Sequence, residues 1–460
     1  MTISRPHRVL VVMCVGMFLV LLDVTVINVA LPAMSTGLGA GIAQLQWIVT
    51  AYTITFAALL LSGGALGDIH GHRRMVLSGL VVFGIGSGLC GLAWATDVLI
   101  VARALQGIGG ALLLPATLAI ITRAFPKRRE QARAIGIWAG VSSLALPAGP
   151  VLGGALVAGA GWRAVFWINL PLVAVAIALT VKWVPKLRVV GGRLDIAGML
   201  TGGVSLAAIV FAVINAGRTG ASAGTVAAAV IGGLGVFAFL AVERRADTPV
   251  FPMQLWKSRA FVGANAVAGA MNFVGIGTIF VLTLYLQDAR GLSPLVGGVA
   301  MLPLFVPLAV MSPLTGSLTA RRGPNLPIVF GLGIGAVGSA SLLSLAPNSG
   351  YAVLLPALLG LGCGMGLLTA AVVAAAMNAA PPERPGLGSS VNNTARQAAG
   401  ALGTAVYGAI TGSPGHRIAF ISGIQVAGVV GAALWIGAIA VTLVCLPKFA
   451  IEHSHERSAG

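Results

Sequence analysis

Charged residues are scarce in this chain, and acidic residues are the scarcest of them. Only 8% of the 460 residues are charged, with 11 Asp and Glu against 28 Lys and Arg, whereas 57% are hydrophobic. A soluble protein of this length carries about a quarter charged residues. Uncharged apolar runs long enough to cross a bilayer recur from end to end. The composition therefore excludes a soluble globular enzyme and predicts an all-α polytopic membrane protein.

Residue patterns for metal, nucleotide or redox chemistry are also lacking. The four cysteines lie in apolar runs, and neither they nor the six histidines have metal-ligand spacing. There is no GxxxxGK[ST] loop for ATP, and no nucleophile–base pair can be assembled. The basic residues behind the net charge of +17 are scattered among loops and do not form a nucleic-acid patch. We expect no enzyme activity, no metal, no cofactor and no nucleic-acid partner.

The apolar runs divide into about fourteen predicted membrane spans: 9–31, 46–66, 75–95, 98–122, 134–158, 164–184, 196–216, 224–242, 261–286, 295–319, 325–346, 351–377, 388–411 and 418–446. On this map most Lys and Arg residues fall in loops on the N-terminal side. The opposite side carries Arg163, Arg218, Arg290 and Arg417. The positive-inside rule then predicts that both termini are cytoplasmic.

A weak internal repeat predicts how the spans are grouped. GALGDIHGHRR (64–74) closes the second span, and GSLTARRG (316–323) closes the tenth. Equivalent loops in two halves are typical of transporters built from parallel repeats. We predict a six-helix bundle over 1–190, a two-helix insert with a cytoplasmic linker over 191–258, a second six-helix bundle over 259–447 and a cytoplasmic tail over 448–460. The insert is expected to be a lipid-facing filler or a link between the halves.

Asp23 is the one carboxylate deep inside a predicted span. The other acidic residues fall in predicted loops, tails or helix ends: Asp68, Asp97, Glu130, Asp195, Glu243, Asp247, Asp288, Glu383, Glu452 and Glu456. An ionised group at membrane depth is costly, so its presence points to function, here proton or cation coupling. The alternative is a purely structural carboxylate held in a salt bridge.

Depth predicts a partner for Asp23. A helical rise of ~1.5 Å per residue places Asp23 ~21 Å from the cytoplasmic end of its span, and Arg103 in the fourth span at nearly the same level. We predict an ion pair whose strength changes with protonation or substrate occupancy. Gln106 shares the helix face of Arg103 and is expected to support it.

Arg396 is the second arginine inside a span, in SSVNNTARQAAGALG (389–403). Asn392 lies four residues before it and Gly400 four after, so a polar strip with a thin backbone faces one way. No carboxylate of the C-terminal half is placed to pair with it. Arg396 is predicted to bind carbonyls, water or an anionic part of a substrate, or else to extend to the membrane interface. Further polar groups of the substrate pathway are predicted at Asn28, Asn393 and Gln397.

The uncharged stretch 140–154, GVSSLALPAGPVLGG, combines prolines with glycines at helical spacing. Inside a bilayer, small residues allow close helix contact and proline is tolerated. The stretch predicts either a kinked packing helix or a helix that slides against its neighbours.

Five motifs in order resemble the major facilitator superfamily, and in particular its fourteen-helix drug:proton antiporter branch. They are LLDVTVINVALP (21–32), the loop GALGDIHGHRR, the pattern R-x-x-Q-G from Arg103, the pattern G-x8-G-P-x-x-G-G from Gly140, and WRAVFWINLP (162–171). The resemblance extends to about Gly403.

This resemblance implies that Asp23 is a proton site supported by Arg103. It also implies a conformational motif and an antiporter motif: Gly64, Asp68, Gly71 and Arg73 in the loop, and Gly140, Gly149, Pro150, Gly153 and Gly154 in the fifth span. Two loop arginines of the family pattern are replaced here by Ile69 and His72. We therefore expect the ionic contacts of this loop on the cytoplasmic side to be weaker than the family pattern implies.

The resemblance further implies a monomeric, proton-coupled exporter of lipophilic drugs, antibiotics or related metabolites in the bacterial cytoplasmic membrane. The proton gradient is its energy source, and the small substrate, protons and the bilayer are its partners. The C-terminal spans lack the acidic residues that multidrug members handling dications often carry, which favours neutral, monocationic or zwitterionic lipophilic substrates. A dedicated exporter of one metabolite, amino acid or lipid is the alternative, and a receptor or scaffold without transport a remote one.

Overall fold

The computed structural model of the chain describes residues 5–185, 195–246, 255, 257–380 and 385–446. Regular structure in these ranges is helical throughout. The helices are α1 (Arg5–Leu38), α2 (Ile42–His70), α3 (His72–Leu92), α4 (Thr96–Ala124), α5 (Arg128–Ala160), α6 (Ala164–Trp167), α7 (Asn169–Trp183), α8 (Ile196–Thr219), α9 (Ala223–Arg245), α10 (Arg259–Leu284), α11 (Pro294–Ala300), α12 (Leu302–Arg322), α13 (Asn325–Ala340), α14 (Leu355–Asn378), α15 (Pro385–Thr411) and α16 (Arg417–Cys445). A π-helical turn, Tyr285–Ala289, extends α10. The predicted tail and much of the predicted linker lie outside the described residues.

Each of the fourteen predicted spans is helical in the structure. In the described part of the chain, 12 helices are long and apolar enough to cross a membrane, and the bent pair α11–α12 would make 13. The remaining helix, α15, carries the polar strip around Arg396 and is not among them. The all-helical membrane architecture is thus confirmed, while the count of fourteen crossings stays a prediction.

The tenth predicted span is not one straight helix. We predicted a continuous segment over 295–319, but α11 ends at Ala300, α12 begins at Leu302, and the two axes meet at 44°. Pro303 lies in the first turn of α12, where a missing backbone N–H costs least. Within a straight helix the same proline would remove a hydrogen bond and clash with the preceding turn. The bend is the result.

Two groups of helices, α1–α7 and α10–α16, pack against each other along two seams. We call the end of the bundle where α1 begins proximal and the other end distal. One seam is formed by α2 with α15, and the other by α5 with α11 and α12. In the second seam the backbones touch: a Cβ added at Gly154 would lie 2.6 Å from the Leu295 Cα, and one at Gly298 would overlap the Pro150 carbonyl oxygen. Glycine is required at both positions.

The insert forms a hairpin in which α8 and α9 pack together. Helix α8 also packs against α2 and α15, so it contacts both halves, and Gly217 lies against Ala409. Helix α9 is exposed along most of its length. The lipid-facing role of the insert stays a prediction, and α8 contacts both halves.

Two buried glutamines join the halves at the distal end. Gln46 of α2 donates through Nε2 to the carbonyl oxygens of Thr404 (3.1 Å) and Ala405 (2.8 Å) in α15. Gln287, after α10, donates to the carbonyl of Val29 in α1 at 2.9 Å. These bonds hold the distal side closed.

Replacing Gln46 by alanine is expected to favour opening of the distal side. The variant loses both hydrogen bonds of that side chain, each contributing about 1 kcal/mol, so the ratio of open to closed molecules should rise about tenfold or more. The distance between spin labels at the exposed distal positions Thr36 and Asn348 would report the change.

Gln425→Ala is the matched control for this measurement. Gln425 also donates to a carbonyl, that of Leu345, but within one half of the molecule. An unchanged distance distribution in Gln46→Ala would show that the distal side is held by other contacts.

Candidate functional site

The site is centred on Asp23, in the middle of α1. Its carboxylate accepts a hydrogen bond from Arg103 Nη1 of α4 at 2.6 Å, and the two residues are 3% and 1% exposed. The predicted pair is therefore present. A buried pair is strongly destabilised when one partner is lost, because the other is left as an uncompensated charge. Its role in proton coupling stays a prediction.

Two amides complete the contacts of the Asp23 carboxylate. Gln106 Nε2 of α4 donates to Asp23 Oδ1 at 3.2 Å, and Asn169 Nδ2 of α7 donates to the same oxygen at 3.0 Å. Arg103 Nη1 also donates to Gln106 Oε1 at 2.7 Å. The predicted support from Gln106 is thus seen as a direct contact. The carboxylate is held from two neighbouring helices and shielded from water.

Asn169 is itself oriented by α3. Its Nδ2 also donates to Ser87 Oγ at 3.0 Å, and Ser87 donates to the carbonyl of Phe166 at 2.8 Å. On the other side of the network, Cys90 Sγ donates to Gln106 Oε1 at 3.4 Å. These residues were not predicted as site residues. The signal for Asn169 was available: it is a polar residue inside an apolar span, in the motif WRAVFWINLP.

Helix α2 supports the arginine. Arg103 Nε donates to the carbonyl of Ile48 at 3.3 Å, and its guanidinium lies over the Tyr52 ring at 4.6 Å from the ring centroid. A cation over an aromatic face is stabilised electrostatically, more so when both are removed from water. Arg103 thus keeps partners on α2 when its bond to Asp23 is removed.

The arrangement has two chemical states. With Asp23 ionised, Arg103, Gln106 and Asn169 all donate to it. When Asp23 takes up a proton, its charge disappears and the attraction of Arg103 for it falls. The network can therefore link a protonation step to a change in helix packing.

The glycine-rich stretch of α5 packs directly on α1 beside Asp23. Thr25 Oγ1 donates to the carbonyl of Ala145 at 3.2 Å, and Gly149 leaves room for the Thr25 side chain. Gly153 lies against the Val26 backbone one turn further on. The adjacent face of the stretch, through Pro150 and Gly154 and about 100° round the helix, forms the seam with α11 described above.

Gly140 is the exception in this predicted motif. A Cβ added there would meet no atom within 4 Å among the described residues, so Gly140 makes no close contact with another helix.

The predicted loop motif connects α2 and α3. Gly71 has φ +94°, a conformation that favours glycine, and it lets α3 begin directly after α2. Arg73 Nη2 donates to the carbonyl of Val181 in the last turn of α7 at 2.7 Å, a favourable place for a cation. Gly64 and Asp68 lie on α2, and the side chain of Asp68 is outside the described part.

The predicted polar residues of α15 form a second cluster with α10. Asn392 is fully buried and donates to Asn265 Oδ1 at 3.3 Å, and Arg396 Nε donates to Asn272 Oδ1 at 3.2 Å. Asn393 and Gln397 on the same helix are half-buried. This cluster belongs to the C-terminal group of helices.

Asn28 belongs to neither cluster. It is buried and donates to the carbonyl of Val24 in its own helix at 2.9 Å. Its Oδ1 accepts no hydrogen bond from the described residues.

The helical bundle, its two halves and the buried ion pair define a polytopic membrane transporter. The family model described as "Major Facilitator Superfamily" matches residues 13–404, and the chain belongs to this family. It lies in the cell membrane, as its many apolar helices require.

Similar proteins have names that refer to drug and antibiotic resistance. "Multidrug resistance protein Stp" of Mycobacterium tuberculosis is 35% identical over 398 residues, which are 86% of this chain and 74% of that protein. "Methylenomycin A resistance protein" of Streptomyces coelicolor is 34% identical over 396 residues, 86% of this chain and 83% of that one. "Puromycin resistance protein pur8" of Streptomyces alboniger is 36% identical over 419 residues, which are 90% of this chain and 83% of that protein.

Solved structures with the same fold include a bacterial homolog of the human lysosomal transporter Spinster and the peptide transporter POT. The first superposes with a TM-score of 0.69 at 18% identity, and the aligned region covers 97% of this chain and 98% of that chain. The second, a mutant form in complex with alafosfalin, gives a TM-score of 0.70 at 16% identity, and the aligned region covers 96% of this chain and 98% of that chain. At these identities the likeness shows the fold.

Proposed function

We propose that this chain is a proton-coupled antiporter of the fourteen-helix branch, which exports lipophilic drugs, antibiotics or related metabolites. The observation that carries the proposal is the shielded Asp23 carboxylate, held by Arg103, Gln106 and Asn169. A titratable group at membrane depth that changes partners on protonation is what coupling requires. The relatives named for multidrug and antibiotic resistance support the direction of transport and the kind of substrate.

In this mechanism Asp23 couples protonation to alternating access. With the distal side closed by Gln46 and Gln287, substrate enters from the proximal side. Proton uptake by Asp23 weakens the ion pair with Arg103 and frees α1 to move relative to α4. Thr25 transmits that movement to α5, because it lies two residues from Asp23 and contacts the glycine-rich stretch. The proton gradient is the energy source, and the chain acts as a monomer without a cofactor.

The alternative of a dedicated exporter for one compound is supported by two relatives. The proteins of Streptomyces coelicolor and Streptomyces alboniger are each named for resistance to a single antibiotic. A receptor or scaffold without transport is disfavoured, because the ion pair and its supporting amides are complete.

Transport by inverted membrane vesicles tests the proposal. With a pH gradient, acid inside, vesicles containing the protein are expected to accumulate a lipophilic dye, either rhodamine 123 (a cation) or fluorescein (an anion). Nigericin, which dissipates the gradient, should abolish accumulation. Accumulation that persists after nigericin would exclude coupling to the pH gradient. If no dye is accumulated although the protein is folded, the dedicated exporter is favoured, and native metabolites replace the dyes in the same assay.

A further inference from the structure

Arg396 differs from Arg103 in what surrounds it. Arg103 is 1% exposed and bonded to a carboxylate, an amide and a backbone carbonyl. Arg396 is only half-buried, although it lies ~17 Å from the start of α15 by helical rise. In the described part of the chain its hydrogen bond is the one from Nε to Asn272 Oδ1. The terminal Nη1 and Nη2 groups donate to none of the described residues.

The described part of the chain supplies no counter-charge for this arginine. Asp23 is the one carboxylate placed deep in a span, and it is already paired with Arg103. Among the described residues of the C-terminal helices, Asp288 is the one carboxylate. It lies in the π-helical turn at the distal end of α10. Asn272, the partner of Arg396, precedes Asp288 by about four helical turns, so helical rise separates the two by ~24 Å. A cation at this depth without a counter-charge is costly.

Asn272 offers a hydrogen-bond donor beside Arg396. The Oδ1 atom of Asn272 is used by Arg396, which leaves the amide Nδ2 as a donor. Gly400, one turn further on α15, lies beside that amide: a Cβ there would lie 3.3 Å from Ile276 Cγ1 and 3.9 Å from Asn272 Nδ2. Two terminal guanidinium nitrogens and one amide nitrogen form a set that matches an oxyanion.

The two charged sites therefore differ in what they offer to a ligand. The Asp23 carboxylate is 3% exposed and its oxygens are occupied by protein donors, so a cationic substrate finds no free acceptor there. Among the described residues, no acceptor occupies the Nη1 and Nη2 groups of Arg396. A phospholipid headgroup does not reach this depth, because headgroups lie at the edge of the ~30 Å hydrocarbon core.

We propose that Arg396 and Asn272 form a binding subsite for the carboxylate or enolate group of a lipophilic organic anion. The substrate class is then an acidic or zwitterionic lipophile, and its anionic group takes the place of the missing counter-charge. This inference rests on the proposed export function for its biological meaning, but the subsite itself is a property of equilibrium binding.

Binding of two matched dyes to the purified full-length protein in lipid-free detergent tests the subsite, with no gradient present. Fluorescein and rhodamine 123 share a tricyclic core and have opposite charges. Fluorescence anisotropy is expected to show saturable binding of fluorescein that weakens about tenfold or more in Arg396→Gln, the loss expected for charge-assisted hydrogen bonds. Arg396→Lys should retain part of the affinity, since it keeps the charge without the bidentate geometry.

Arg417→Gln is the control variant. It removes the same charge from the same half, but Arg417 donates to the carbonyl of Pro347 in an exposed position. Fluorescein affinity should be unchanged in it, and rhodamine 123 affinity unchanged in all variants. Fluorescein binding that is absent in the wild type, or unaffected by Arg396→Gln, would overturn the subsite. Neither result would change the outcome of the gradient-driven accumulation assay, which tests the proposed function separately.

Discussion

Asp23→Asn is expected to abolish uphill efflux while leaving downhill exchange of substrate measurable. The asparagine side chain keeps the volume and one oxygen acceptor, but it cannot take up and release a proton. Arg103 then loses its counter-charge at a position that is 1% exposed, which costs about 3–5 kcal/mol of stability. Gradient-driven dye accumulation in inverted vesicles, compared with equilibrium exchange in the same vesicles, separates coupling from transport as such.

Two further variants make this result interpretable. Asp97→Asn removes an exposed carboxylate from the first turn of α4, the helix that carries Arg103, and should transport normally. In the double variant Asp23→Asn/Arg103→Gln the charge is balanced again, so the melting temperature should recover while uphill efflux does not. Uphill efflux that survives in Asp23→Asn would move the proton site to another residue.

Gly149→Ala is expected to reduce both stability and transport. The added methyl group would overlap the Thr25 side chain and lie 2.6 Å from the Thr25 Cβ. Overpacking of this kind costs about 1–3 kcal/mol, and here it displaces α1 two residues from Asp23. A lower melting temperature in detergent, together with slower efflux per folded molecule, would be the measured effect.

Gly140→Ala is the matched control on the same helix. Nothing lies within 4 Å of a Cβ there, so the substitution should leave transport intact and stabilise α5 by up to about 1 kcal/mol. Gly159→Ala, equally open and outside the motif, gives a second reference. If Gly140→Ala and Gly149→Ala were equally harmful, the contact with Thr25 would not explain the requirement for glycine.

The pair at the centre of the site could be predicted because charges are rare in this chain. With one carboxylate deep in the spans, helical rise alone was enough to bring Arg103 to the level of Asp23. The amide of Gln106 followed from its spacing to Arg103. These arguments use position along a helix, which hydrophobic runs define to within a turn.

Contacts between helices were beyond the same arguments. Asn169 stands out as a polar residue in an apolar span, but its contact with Asp23 depends on the rotation of α7 about its own axis. The same holds for Ser87 and Cys90 of α3, because packing sets that rotation and an apolar sequence does not reveal it. Gln46 and Gln287 lie near helix ends, where polar residues are ordinary, so nothing in the sequence distinguishes them as bonds between the halves. The break between α11 and α12 was missed because membrane helices tolerate proline.

Helix α8 makes the two seams between the halves mechanically unequal. It lies against both α2 and α15, so that seam has a third helix across it, whereas α5 meets α11 in close backbone contacts at Gly154 and Gly298. A seam that a third helix covers resists separation of its two helices. A seam with small residues on both sides lets the helices slide against each other. We therefore expect the two halves to rotate about the α2–α15 seam, with the larger displacement at the α5 seam.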